Sequence, residues 1–264
     1  MSCEQCGQGY VLAGEPEGTM VDGAYLHEGS NKSRAVVLLT DIFGLPLVNC
    51  KIMADRFSKE LDCDVWVPDL FDGRPPMNAD DMEPLMPDRA GQKIPFMNIL
   101  RLIWLIVPRV HLLYASRASV VDARISTFVA KIKESRTYQK IGAVGYCFGG
   151  AAAIRIGSMD LVDSIVIAHP GSTSIAEIKA IKIPAAWECA EDDMSFKKSI
   201  RDQAEAVFDA RKDKPDFVDY EFKDYPGTAH GFAARPNFAL PEIVKGYNGA
   251  FAHCVEWFEK TLKV

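Results

Sequence analysis

The stretch Gly-Ala-Val-Gly-Tyr-Cys-Phe-Gly-Gly-Ala-Ala-Ala, residues 142–153, constrains the fold of this chain more than any other. A short apolar run leads into Cys147, with Gly145 two residues before it, Gly149 two after it, and Gly150 and Ala151 to Ala153 beyond. That order fits a strand turning abruptly into a helix. Small neighbours at minus two and plus two let the turn close, and the small residues that follow let the helix pack tightly. Such a turn would present the Cys147 thiol at a helix N-terminus, where unpaired N–H groups and the helix dipole favour a thiolate. A cysteine between glycines can also be a small filler, so the remaining sequence has to decide.

The rest of the chain alternates between strand and helix patterns. Residues 35–44 (AVVLLTDIFG) read as a buried strand ending in a turn, 47–61 as a helix, and 63–73 as a second strand stopped near Pro68. A Met- and Pro-rich loop and two helices fill residues 78–134, with Pro108 ending the first helix. The second is expected over about 110–134, burying Val120, Ile125, Phe128 and Ile132. Residues 140–146 read as a strand and 148–157 as the start of a helix. Two further strands follow in LVDSIVIAHPG and IKIPAAWECAEDD, then a helix over 199–212, a strand and loop over 216–232, and a closing helix over 241–262. This alternation implies an α/β fold with a mostly parallel central sheet and helices on both faces. With no repeat and no low-complexity linker, one domain is expected over 1–264. Residues 1–30 should form an edge hairpin or peripheral arm, and about 78–134 a lid-like helical region.

Bulk properties narrow the partners. A net charge of −6 without a Lys/Arg run argues against nucleic acid. The N-terminus lacks the basic start and apolar stretch of a secretion signal, so a cytoplasmic location is expected. The longest apolar run, 94–108, is interrupted by Asn98 and Arg101 and is too short to span a bilayer, so no membrane partner is expected. Seven scattered cysteines do not suggest a disulfide framework, and the Cys3/Cys6 pair has neither a second pair nor a nearby histidine. No metal or cofactor is expected, and nothing demands more than a monomer or weak homodimer.

In an open α/β sheet, reactive residues belong at the carboxyl ends of strands. Cys147, Asp192 and His230 each follow an expected strand, in the chain order nucleophile, acid, histidine that α/β-hydrolases use. His230 could exchange a proton with the sulfur while Asp192 fixes the imidazole tautomer; the adjacent Asp193 competes for that place.

With LLTDIFGL, VWVPDLFDG, GYCFGG, AEDD and GTAHGFAAR in place, the chain resembles the dienelactone hydrolase family from about residue 20 to 260, and its N-terminal CEQCGQGYVLAGEPEG is most similar to the fungal branch. The resemblance implies an α/β-hydrolase fold and a Cys147–Asp192–His230 triad, the family's acid following a small residue by two positions as Asp192 follows Ala190. It implies an oxyanion hole from the backbone N–H groups of Phe148 and Ile42, and a substrate-binding role for Arg235, matching an arginine that helps hold a substrate carboxylate. Asp41 stands where bacterial members carry a glutamate that shelters the resting thiol; it is one methylene shorter. Arg74, Trp104 and Tyr114 are the candidates for pocket lining. The expected function is opening of a lactone or activated ester through a thioester at Cys147. The alternative is a non-catalytic small-molecule receptor on the same scaffold.

Overall fold

Along β3 (Asn31–Leu39), Val36 and Leu38 point to one side while Ala35, Val37 and Leu39 point to the other, and all five are buried. A strand apolar on both faces must be covered on both, and the chain supplies the cover with helices. The computed structural model describes residues 10–264; Cys3 and Cys6 lie outside the described residues.

The other strands are β1 (Thr19–Val21), β2 (Ala24–His27), β4 (Cys63–Val67), β5 (Lys140–Tyr146), β6 (Ser164–Ala168), β7 (Ala185–Asp192) and β8 (Tyr220–Ala229). They form one eight-stranded sheet in the order β1-β2-β4-β3-β5-β6-β7-β8. From β4 to β8 all neighbours pair in parallel, whereas β1 and β2 form an antiparallel hairpin that adds to β4. The hairpin turns at Asp22 and Gly23, both at positive φ.

Helices α1 (Asn49–Leu61) and α9 (Pro241–Thr261) pack on one face of the sheet. On the opposite face lie α5 (Ala118–Ser135), α6 (Phe148–Ile156), α7 (Ile175–Lys179) and α8 (Lys198–Asp209). Between β4 and α5 run α2 (Ala79–Met82), a 3₁₀ turn at Glu83–Leu85, α3 (Phe96–Ile106), a second 3₁₀ turn at Val107–Arg109 that contains Pro108, and α4 (Val110–Ala115).

The single helix expected over 110–134 is therefore two, broken at residues 116–117. Its buried positions are Val121, Ile125, Val129 and Ile132, with Val120 and Phe128 only half-buried. Each buried residue follows the last by three or four positions, the spacing that keeps one helical stripe on the sheet. Because α5 is part of that sheet cover, residues 118–135 do not belong to the lid-like region expected over about 78–134.

Candidate active site

The sharp turn after β5 is real and sterically specified. Cys147 sits at φ 52°, ψ −108°, a conformation that costs a non-glycine residue energy. A Cβ at Gly145 would lie 2.1 Å from the Gly149 carbonyl oxygen, and one at Gly149 would lie 2.1 Å from the Leu39 carbonyl oxygen. Both glycines are thus demanded by backbone packed against backbone. The turn is pinned by main-chain bonds from the Cys147 N–H to the Ala168 carbonyl (3.1 Å) and from the Gly171 N–H to the Cys147 carbonyl (2.7 Å). Five cysteines lie among the described residues, and Cys147 is the one that is not fully buried. Burial pushes the Cys50 and Cys63 thiols up to about 12, which makes them poor nucleophiles.

His230 follows β8 and turns its ring toward the end of β7. Its Nδ1 lies 3.0 and 2.9 Å from the two carboxylate oxygens of Asp193. The carboxylate brought to His230 is therefore Asp193, and the expectation that Asp192 fills this place is corrected. Asp192 is exposed, and its Oδ2 accepts from the backbone N–H of Gly91 at 3.0 Å. The cause is strand parity: successive side chains point to opposite sides, and the β7–β8 register shifts between Ala190 and Asp192. Asp193 lands inward. Its Oδ1 also accepts from the N–H groups of Ser195 (2.7 Å) and Phe196 (2.9 Å). Burial works against its charge, but the His230 hydrogen bond and these two amides outweigh it and hold the carboxyl below its ordinary value.

Burial likewise disfavours charge on His230, yet Cys147 and Asp193 overcome it and raise its pKa to about 10, with the sulfur acting both by charge and by hydrogen bond. With Nδ1 engaged by Asp193, Nε2 is the nitrogen left for the sulfur. Cys147 and Asp193 are thus the two groups that set the charge of the His230 ring.

Two backbone donors stand nearby. Phe148 opens α6, and Ile42 lies in the turn Asp41–Gly44 after β3. Among the described residues, neither amide donates to a protein acceptor.

The chain belongs to the dienelactone hydrolase family. Residues 22–262 match that family. The hydrolase tropI of Talaromyces stipitatus is 30% identical over 266 residues, covering 98% of this chain and 96% of the relative. A human carboxymethylenebutenolidase homolog is 27% identical over 86% of this chain and 82% of its own length. Among solved structures, a putative dienelactone hydrolase from Klebsiella pneumoniae superposes with a TM-score of 0.65 at 14% identity, over 90% of this chain and 92% of that one. As a dienelactone hydrolase family member with this fold, the protein is a carboxylic ester or lactone hydrolase.

Arg235, for which the resemblance implies a substrate-binding role, is held between two carboxylates. It is buried, with Nη1 2.5 Å from Asp41 Oδ2 and Nε 2.5 Å from Glu83 Oε1. Burial opposes its charge, but Glu83, Asp41 and then Cys147 keep it firmly cationic. Asp41 in turn accepts from the Phe43 N–H at 3.0 Å, so its two oxygens hold the oxyanion-side turn and the arginine. The candidates Trp104 and Tyr114 project into solvent at 83% and 68% exposure, and Arg74 is exposed as well. A cleft of about 450 Å³ lies beside the turn after β3, lined by Phe43, Leu47, Pro75, Met77 and Arg109, and none of Cys147, Asp193 and His230 lines it.

Sequence reasoning missed His169 and Glu83. His169 ends the expected strand LVDSIVIA, and a polar residue at a strand's carboxyl end was the available signal. It is fully buried, edge-on to His230 with ring centroids 5.1 Å apart, and neither ring nitrogen has a partner among the described residues. Burial and then the neighbouring His230 push its pKa well down, so it packs as a neutral ring.

Proposed function

We propose that the protein hydrolyses neutral lactones or activated esters through a thioester on Cys147. His230 Nε2 takes the thiol proton, and the sulfur attacks the carbonyl carbon. The resulting oxyanion is held by the N–H groups of Ile42 and Phe148, donors of a kind of which one alone can contribute about 3–4 kcal/mol of barrier lowering. Collapse breaks the bond to the alkoxide or enolate, which takes the proton back from His230. A water then gives its proton to His230, attacks the thioester, and releases the acid and the thiol. Asp193 holds the ring in the one tautomer that serves both halves. A sulfur nucleophile suits good leaving groups, because the tetrahedral intermediate otherwise expels sulfur again.

The observation that carries this reading is the buried imidazole bound through Nδ1 to Asp193 and raised in pKa by the Cys147 sulfur. The neutrality of the substrate rests on Arg235, whose single positive charge already faces Asp41 and Glu83, so a substrate carboxylate would enter a net negative neighbourhood. The test is a panel of butenolides and p-nitrophenyl esters, with and without a free carboxylate, assayed on the native protein and on Cys147→Ala. Neutral compounds should be turned over faster than their carboxylated analogues, and Cys147→Ala should abolish turnover. Saturable binding without product release would point instead to a receptor, and undiminished turnover by Cys147→Ala would exclude the nucleophile.

A further inference from the structure

Residues Phe96–Ala115, which run through α3 and α4, form a twenty-residue apolar helical segment of which no residue is buried. Phe96, Met97, Trp104, Val107, Val110 and Tyr114 are each more than half exposed, and Ile103 is half exposed. Scattered apolar side chains on a surface need no explanation, but one contiguous stripe of this size marks a contact. The segment cannot cross a bilayer as it stands. Pro108 and the 3₁₀ turn at Val107–Arg109 interrupt it, Leu105 and Ile106 pack against the Phe43–Leu47–Met77 cluster, and Arg109 bridges to Asp81 at 3.3 Å. It therefore lies along the body with its apolar side outward.

Charge indicates what covers it. Residues 89–121 contain Arg89, Lys93, Arg101, Arg109 and Arg117 and no acidic residue, in a chain whose overall charge is −6. Arg109 is paired with Asp81, Arg89 lies 3.5 Å from Asp88, and Arg117 stacks on Tyr114 at 4.6 Å. Lys93 and Arg101 have no ion-pair partner among the described residues, although acidic side chains are plentiful elsewhere. An outward apolar stripe containing a tryptophan and a tyrosine, flanked by unpaired cations, is the pattern of a helix lying in a lipid interface. We propose that α3 and α4 dock the protein flat onto an anionic lipid surface, the apolar stripe entering the headgroup boundary while Lys93 and Arg101 meet lipid phosphate or carboxylate groups. The stretch just before it, residues 83–91, is tied to the ends of β7 and β8 and to Arg235. The Gly91 N–H donates to Asp192, the Ala90 N–H donates to the Gly227 carbonyl, and Glu83 binds Arg235. The proposal does not depend on the catalytic reading.

The molecule carries its own reporter. Trp66, Trp187 and Trp257 are buried, so a shift of tryptophan emission on adding vesicles reads Trp104. Sedimentation with equimolar phosphatidylcholine–phosphatidylserine vesicles should occur together with a blue shift, and pure phosphatidylcholine vesicles should bind far less. Lys93→Gln with Arg101→Gln should weaken partitioning by about twenty-fivefold, on the order of fivefold for each cation lost near an anionic surface, and Ile103→Glu should remove the blue shift. These variants should still hydrolyse p-nitrophenyl esters, which shows that they are folded. Absence of binding and of any shift with the anionic vesicles would overturn the proposal. So would a blue shift that grows with protein concentration in the absence of lipid, alongside a doubled mass by light scattering, since a second copy would then be the cover.

Discussion

Asn at position 193 and Asn at position 192 should differ by about a thousandfold in kcat/KM, although the two aspartates are neighbours in sequence. In Asp193→Asn, a buried carboxylate that accepts from His230 Nδ1 at 2.9–3.0 Å becomes an amide that can present its NH2 group to the same nitrogen. The ring is then driven toward the tautomer with its proton on Nε2, where it cannot accept from the thiol, and the developing imidazolium loses an adjacent negative charge. A charge-assisted buried hydrogen bond contributes about 1.5–3 kcal/mol, and the wrong tautomer adds to that. The total of about 4 kcal/mol corresponds to about three powers of ten, within the range known for triad acids. Asp192→Asn keeps a carbonyl oxygen for its one partner, the Gly91 N–H, at an exposed position, so its effect should stay below about twofold. The assay is steady-state hydrolysis of a p-nitrophenyl ester by both variants, with circular dichroism to confirm folding. A large loss in Asp192→Asn together with near-native activity in Asp193→Asn would refute the assignment and the strand parity behind it.

Three other outcomes follow from the elbow's packing and from the charge state of His230. Gly149→Ala would set a methyl carbon 2.1 Å from the Leu39 carbonyl oxygen and should cost about 3 kcal/mol or more. Gly73→Ala, at φ 73° with open space around it, should cost only about 1–2 kcal/mol, and thermal melts that ranked the two the other way would contradict the packing described for the elbow. The His230 pKa is raised from 6.5 to about 10, so its contribution to stability is complete below pH 6.5 and is lost as pH rises through about 10. Cys147→Ala removes the strongest raising influence and should bring the His230 titration down in an NMR experiment. An unchanged titration would mean that the sulfur does not face the ring.

Much of this could be read along the chain because the determinants are local. The strands from β3 to β7 announce themselves by short apolar runs, and the elbow is written in Gly145 and Gly149 on either side of Cys147. What escaped depends on partners far away in sequence. Whether Asp192 or Asp193 faces inward is decided by a register shift against β8, about 35 residues downstream. The partners of Arg235 were not legible because Asp41 and Glu83, more than 150 residues earlier, are brought to it only by the fold. The bulky residues of α3 and α4 looked like pocket lining or packing, since hydrophobicity alone does not say which way a helix turns. Trp104 and Tyr114 in fact face away from the body. His169 carried no spacing signal beyond its position at the end of β6; its role emerges from contact with His230.

The claim on which the chemistry rests is that a covalent bond forms at Cys147. Mixing the protein with p-nitrophenyl acetate, quenching in acid within the first turnovers and mapping the peptides by mass spectrometry tests it directly. The account requires an acetyl group on the peptide that contains Cys147, accompanied by a burst of nitrophenolate matching the enzyme concentration, and neither in Cys147→Ala. Steady turnover without acylation of that peptide, or acylation at another side chain that persists in Cys147→Ala, would contradict it.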